Sequence, residues 1–132
     1  MQIIVLYLTT ALVFLGLDAV MLKNVMRPLF EKHVSGLLAD SLNLPAAVIF
    51  YLFYIGGVIW FASLPALREG APGNALISGA LLGAMAYGTY EFTNLATLKG
   101  WDWQMVAVDV SWGIVLTGLS AWAGVMAARA IG

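Results

Sequence analysis

The sequence predicts an all-α integral membrane protein with four transmembrane helices in a compact bundle. Of its 132 residues, 62% are hydrophobic and 10% are charged, whereas soluble domains carry about 25% charged residues. In addition, four apolar segments reach the roughly 20 residues that a helix needs to cross about 30 Å of hydrocarbon. Helix is the expected state for each, because an open strand in lipid would leave its backbone groups unpaired.

The four predicted spans are residues 2–22, 44–64, 75–98 and 103–128, within a single membrane domain, 1–132. Asn43 and Asp102 are expected to cap the second and fourth helices at their N-termini, and Asn74 the third. Pro65 is expected to stop the second helix. The first span is expected to be retained, because it lacks a basic leading region and a small-x-small cleavage pattern.

The longest connection lies between the first two spans. Phe30 and Val34 in this segment, followed by Leu37 and Leu38, recur at helical spacing. This pattern predicts a short amphipathic helix at the membrane interface, after a break near Pro28. An ordered loop would fit the pattern equally well.

Basic residues in the loops predict the orientation of the chain. More of them lie on the face that carries loops one and three (Lys23, Arg27, Lys32, Lys99) than on the opposite face (Arg68, Arg129). We therefore expect loops one and three to be cytoplasmic and both termini to lie outside.

Several function classes are excluded or disfavoured by what the sequence lacks. It has no cysteine, so disulfides, thiol catalysis and cysteine-ligated metal centres are excluded. No nucleophile elbow, phosphate-binding glycine loop or zinc motif is present, and the single histidine, His33, has no metal-ligand spacing around it. The few basic residues are scattered, which argues against nucleic acid as a partner. We therefore expect no catalytic residues, no metal and no cofactor.

Three carboxylates fall within the apolar segments: Asp18, Glu91 and Asp109. An ionised side chain in hydrocarbon is costly, so such residues normally face protein or water and mark a candidate site. Counting residues from the predicted helix ends puts all three about 6–10 Å from one membrane surface. We expect them to converge there inside the bundle.

The third span carries a stripe of residues spaced by four, three and four: Ala80, Ala84, Tyr87 and Glu91, extended by Asn94. Gly79 and Gly83 lie beside this stripe as a small-xxx-small pair, which allows a neighbouring helix to approach closely. On the fourth span, Asp109, Gly113 and Ser120 share a face, and Trp112 lies one turn from Asp109, where its indole N–H could serve as a donor. Both faces are expected to pack inward.

Two interpretations of the acids remain open. In the first, each carboxyl accepts a hydrogen bond from Trp, Tyr, Thr or Asn on a neighbouring helix, and one or more is protonated because burial penalises the charged form. In the second, the acids form a polar pocket that binds a cation, a proton or a lipid headgroup.

Two sequence blocks resemble a known family. The first runs from Tyr87 to Lys99 (YGTYEFTNLATLK) and is followed by Trp101; the second is DVSWG, beginning at Asp109. With Asp18, the Phe50–Tyr51 pair and the Gly56–Gly57 pair, they resemble small bacterial inner-membrane proteins that are grouped as a four-helix domain of unknown function. The family often has aspartate where this chain has Glu91, which keeps the carboxylate.

That resemblance implies a location in the bacterial inner membrane and a shared polar core, but no activity. The implied core is Tyr87, Tyr90, Glu91, Thr93, Asn94, Asp109 and Trp112.

Three hypotheses about function follow. The first is a non-catalytic binding or accessory component, whose partners would be membrane lipids or a membrane enzyme. The second is a proton-coupled transporter of small molecules built as a homo-oligomer, with the Gly79/Gly83 face as its dimer seam. The third is a lipid-modifying enzyme that uses two carboxylates as acid and base.

Overall fold

The computed structural model describes residues 2–37 and 43–132. In these residues the chain forms four long helices and no strand. Helix α1 spans Gln2–Val34 and is followed by a 3₁₀ turn, Ser35–Leu37. Helix α2 spans Leu44–Glu69, α3 spans Pro72–Thr97 and α4 spans Trp103–Ile131. The all-α prediction is confirmed.

Three of these helices, α1, α2 and α4, are long and apolar enough to cross a membrane. Helix α3 has 26 residues, which also exceeds the length of a span, but it is richer in glycine and hydroxyl residues. At 33 residues, α1 is about 50 Å long, more than the hydrocarbon thickness. Its apolar part ends near Leu22, as the sequence predicts, and the charged remainder extends beyond it.

Proline does not end α1 or α2, so the predicted break near Pro28 and the predicted stop at Pro65 are wrong. A π-helical turn precedes each proline by two residues: Leu22–Met26 before Pro28, and Ile59–Ser63 before Pro65. Proline has no N–H, and its ring crowds the carbonyl one turn earlier. The wider π turn relieves this crowding and redistributes the freed carbonyls, so each helix continues.

The segment after Leu22 is therefore helical, but it continues α1 instead of forming a separate interfacial helix. Its end packs against the connection between α3 and α4, where the Phe30 and Trp101 ring centres are 5.3 Å apart. Gly100, at φ +83°, lies against the carbonyl oxygen of His33. Leu38, which the amphipathic pattern included, lies outside the described residues.

Two of the three predicted caps are present. The Asn43 side chain accepts from the amide of Ala46 at 3.4 Å, and Asp102 accepts from the amide of Gln104 at 2.9 Å. Asn74 is not a cap, because α3 begins two residues earlier, at Pro72, and the Asn74 side chain donates to Glu69 instead.

The most extensive helix contact is between α3 and α4, and it depends on glycine. A Cβ at Gly79 would meet the Thr117 carbonyl oxygen 2.9 Å away, and a Cβ at Gly83 would collide with the backbone of Gly113. A Cβ at Gly113 would in turn enter the ring of Tyr87. The Gly79/Gly83 face therefore lies inside the bundle, so it does not supply the dimer seam of the transporter hypothesis.

Helix α2 packs against this pair mainly through its C-terminal half, around Ile55, Val58 and the π turn. In its N-terminal half, large apolar side chains are exposed, including Ile49 and Phe53, which are 70% and 79% exposed. Most of the close backbone contact of α2 with α3 is at the π turn and the end of α2. The two helices therefore leave a space between them on the side where α2 begins.

Candidate ligand site

Asp18 is held by donors from two other helices. Its Oδ1 accepts from the indole N–H of Trp112 on α4 at 3.1 Å. Its Oδ2 accepts from the hydroxyl of Tyr51 on α2 at 3.2 Å. Both oxygens act as acceptors, so donors from two helices fix the orientation of this side chain. The sequence suggested the Trp112 indole as a donor to Asp109, but it donates to Asp18.

Glu91 is fully buried. Its Oε1 accepts from the indole N–H of Trp101 at 2.9 Å, whereas its Oε2 has no partner among the described donors. The neighbouring carboxyl is that of Asp109, which lies within hydrogen-bonding range and is 8% exposed. Two carboxylates provide four acceptor oxygens and no donor, so a proton held between them would satisfy the unpaired oxygen.

A cavity of about 410 Å³ lies beside these acids, within the size range of small-molecule sites. All four helices contribute to its wall. Asp18 and Asp109 supply the carboxylates, and six of the eleven lining residues are aromatic. The lining residues are Asp18, Leu22, Met26, Phe30, Phe50, Tyr51, Tyr54, Ala86, Tyr87, Tyr90 and Asp109.

The cavity occupies the space between α2 and α3. Phe50 and Tyr90 line it from these two helices, and both are more than half exposed on the outer surface. In a bilayer such exposed rings face lipid, so the cavity would open sideways toward acyl chains. Deeper in the wall, the Tyr54 hydroxyl lies 3.0 Å from the Thr117 hydroxyl.

The structure brings most of the predicted polar residues together. Asp18, Tyr87, Tyr90 and Asp109 line the cavity. Glu91 and Trp112 lie behind the lining. Glu91 is beside Asp109, and Trp112 donates to Asp18. Asn94 is half-buried next to Tyr90, one helical turn further along. Thr93 is exposed and outside the lining, so it falls on a different face of α3.

Three residues of the site were missed by sequence reasoning. Tyr51 was named only in the Phe50–Tyr51 pair of the resemblance, and Tyr54 was given no role, because aromatic residues in an apolar helix usually pack or contact lipid. Trp101 was named only as the residue that follows the first block, but its indole N–H donates to Glu91. Tyr51 and Tyr54 lie one turn apart in an otherwise apolar helix. Their hydroxyl groups need polar partners when buried, and this requirement could have indicated a polar site.

Among the described residues, no group of three or more His, Cys, Asp or Glu side chains is placed to hold a metal ion. The site is instead two carboxylates and a set of tyrosines, with a third carboxyl behind them. Such a lining can accept hydrogen bonds from a ligand and can interact with positive charge.

A family model described as "Predicted membrane protein (DUF2177)" matches residues 3–126. The chain belongs to this family. The match takes in both sequence blocks that prompted the resemblance and every residue that lines the cavity. No curated protein and no solved structure matches the chain. Membership of the DUF2177 family establishes a membrane protein and carries no activity with it.

Proposed function

We propose that this chain is a multi-pass protein of the bacterial inner membrane that binds a small amphiphilic molecule without transforming it. The polar end of the ligand would sit against Asp18 and Asp109, and its apolar part would extend between α2 and α3 toward lipid. One observation carries the proposal: the cavity draws its wall from all four helices and places two carboxylates inside an otherwise apolar and aromatic lining.

The lipid-modifying enzyme is a second candidate, because Asp18 and Asp109 face one cavity, as an acid–base pair would. Binding is favoured over catalysis because the observed cavity is sufficient to hold an amphiphile, whereas acid–base catalysis also needs both carboxyls within reach of one substrate atom.

The test uses native mass spectrometry of the protein released from bilayers of phosphatidylethanolamine and phosphatidylglycerol. We expect one retained amphiphile per chain. Ala86 lines the cavity, so Ala86→Phe should fill it and abolish retention. Ala96→Phe is the matched control, because Ala96 is exposed on the same helix and outside the lining. Equal retention by the two variants, or no retained molecule in the unmodified protein, would overturn the proposal.

A further inference from the structure

The cavity has an excess of negative groups. Asp18 and Asp109 line it, Glu91 lies directly behind Asp109, and none of the described lining residues is Lys, Arg or His. Within a bilayer, a carboxylate without a positive partner is costly. A ligand that brings a positive charge would supply the counter-charge that the protein itself does not provide here.

The aromatic rings favour the same kind of ligand. Tyr51, Tyr54 and Phe50 line the cavity from α2, and Tyr87 and Tyr90 line it from α3. The faces of aromatic rings attract cations, and sites lined by several rings are typical of ammonium recognition. Rings and carboxylates together suit an ammonium group better than a neutral or anionic headgroup.

The Glu91–Asp109 pair adds a second element. The Oε2 atom of Glu91 is buried and has no described partner, and the Asp109 carboxyl is in hydrogen-bonding range. Two carboxyl groups so close together in a buried place cannot both be ionised without strong repulsion. A single proton shared between them removes this repulsion and pairs Oε2.

From these observations we infer that the cavity binds the ammonium end of an amphiphile, and that its binding releases the proton shared by Glu91 and Asp109. This inference rests on the proposed function and adds the ligand class to it. The charges balance, because one cation enters and one proton leaves. Asp109 lines the cavity, so the departing proton has a route out past the entering cation.

Besides Glu91, the titratable groups that interact with Asp109 are an acid and three phenols. They come from the three helices packed around it: Asp18 on α1, Tyr51 on α2, and Tyr87 and Tyr90 on α3. No basic side chain is among these neighbours. The incoming ammonium therefore supplies the positive charge that allows Glu91 and Asp109 to be ionised together. Cation binding weakens proton binding to the pair, and proton binding weakens cation binding by the same factor.

The first experiment tests charge selectivity by calorimetry on the full chain in maltoside micelles, with empty micelles subtracted. Decylammonium should bind at least roughly tenfold more tightly than decanol. Asp18→Asn should remove most of this preference. Glu69→Gln, a change of an exposed acid at the other end of α2, should preserve it.

The second experiment counts protons. Decylammonium is titrated at one pH in two buffers of different ionisation enthalpy. The difference in heat should correspond to release of about one proton per ligand bound. Glu91→Gln should still bind the cation and release none, because an amide can donate to Asp109 without a shared proton. Asp109→Asn should also release none, and circular dichroism shows whether each variant is folded.

A third measurement identifies the source of the ammonium group. Displacement of decylammonium by phosphatidylethanolamine bilayers would assign the site to an aminolipid headgroup. Lack of displacement would assign it to a free alkylamine. Both results support an ammonium site.

Failure of the ammonium inference can be distinguished from failure of the proposed binding function. Equal binding of decylammonium and decanol, both sensitive to Ala86→Phe, overturns the ammonium inference and keeps the binding function. Binding of neither overturns both. Selective binding without proton release overturns the role given to the Glu91–Asp109 pair.

Discussion

The indole N–H of Trp112 donates to the Asp18 carboxylate at 3.1 Å and thereby joins the last helix to the first. Tyr51 adds the second donor from α2, at 3.2 Å. This carboxylate is thus paired by donors from two other helices, which couples the packing of the bundle to the geometry of the cavity.

Replacing Trp112 with phenylalanine should destabilise the protein. The substitution keeps an aromatic ring but removes the donor to Asp18, leaving a half-buried carboxylate oxygen unpaired at a cost of about 1–3 kcal/mol. The free energy of unfolding in mixed micelles, with dodecyl sulfate as denaturant, measures the loss. Trp122→Phe is the control, because Trp122 lies on the same helix and is 40% exposed. An equal effect of the two substitutions would contradict the prediction.

Trp101→Phe should also destabilise the protein, for a related reason. The Trp101 indole is the only described donor to Glu91, which is fully buried. Its loss leaves the carboxyl dependent on Asp109 alone, at a cost of about 1–3 kcal/mol. Trp103→Phe serves as the control, since Trp103 is 67% exposed. If both variants unfold at the same denaturant concentration, Trp101 does not stabilise the buried acid.

Gly83→Ala should be more damaging than its small size suggests. The new methyl group would collide with the backbone of Gly113, and a backbone cannot move aside as a side chain does. The helices would have to separate, at a cost of about 1–3 kcal/mol. Gly16→Ala is the matched control, because nothing lies within 4 Å of the added atom there. A small gain in helix stability is expected for the control, and equal thermal stability of the two variants would argue against the close packing.

The orientation of the chain is open to a direct test, because the sequence contains no cysteine. Single cysteines at Lys32 and Arg68 would report on opposite faces of the membrane. We expect R68C to react with a membrane-impermeant maleimide in intact cells, and K32C to react only after lysis, since the face with more basic residues is expected to be cytoplasmic. The reverse pattern would place both termini in the cytoplasm.

The sequence was informative about the acids because their positions obey helix geometry. Asp18, Glu91 and Asp109 lie at matching distances from the ends of their apolar segments, and the structure brings them to one place. For Asp18, the distance matches only when residues are counted from Leu22, where the apolar segment ends. Helix α1 itself continues to Val34, because a π turn accommodates Pro28.

The partners of the acids could not be predicted in the same way. Periodicity shows which residues share a face of one helix, but it does not show which helix lies opposite. Trp112 was therefore matched to its own neighbour, Asp109, when its partner is on α1. The tyrosines of α2 were missed because an aromatic residue that lines a cavity and one that faces lipid look alike in a sequence.

The bond between Asp18 and Trp112 joins residues 94 positions apart. Ribosomes add about 5–20 residues per second, so roughly 5–20 s separate the synthesis of the two residues. Throughout this interval the first helix holds an acid that lacks its indole donor. Before the final helix is made, only Tyr51 on α2, of the two described donors, can donate to this carboxylate. The hydrogen bonding of Asp18 is therefore completed only when the last helix has been made. A ribosome that stalls before Trp112 would leave this carboxylate without its indole donor.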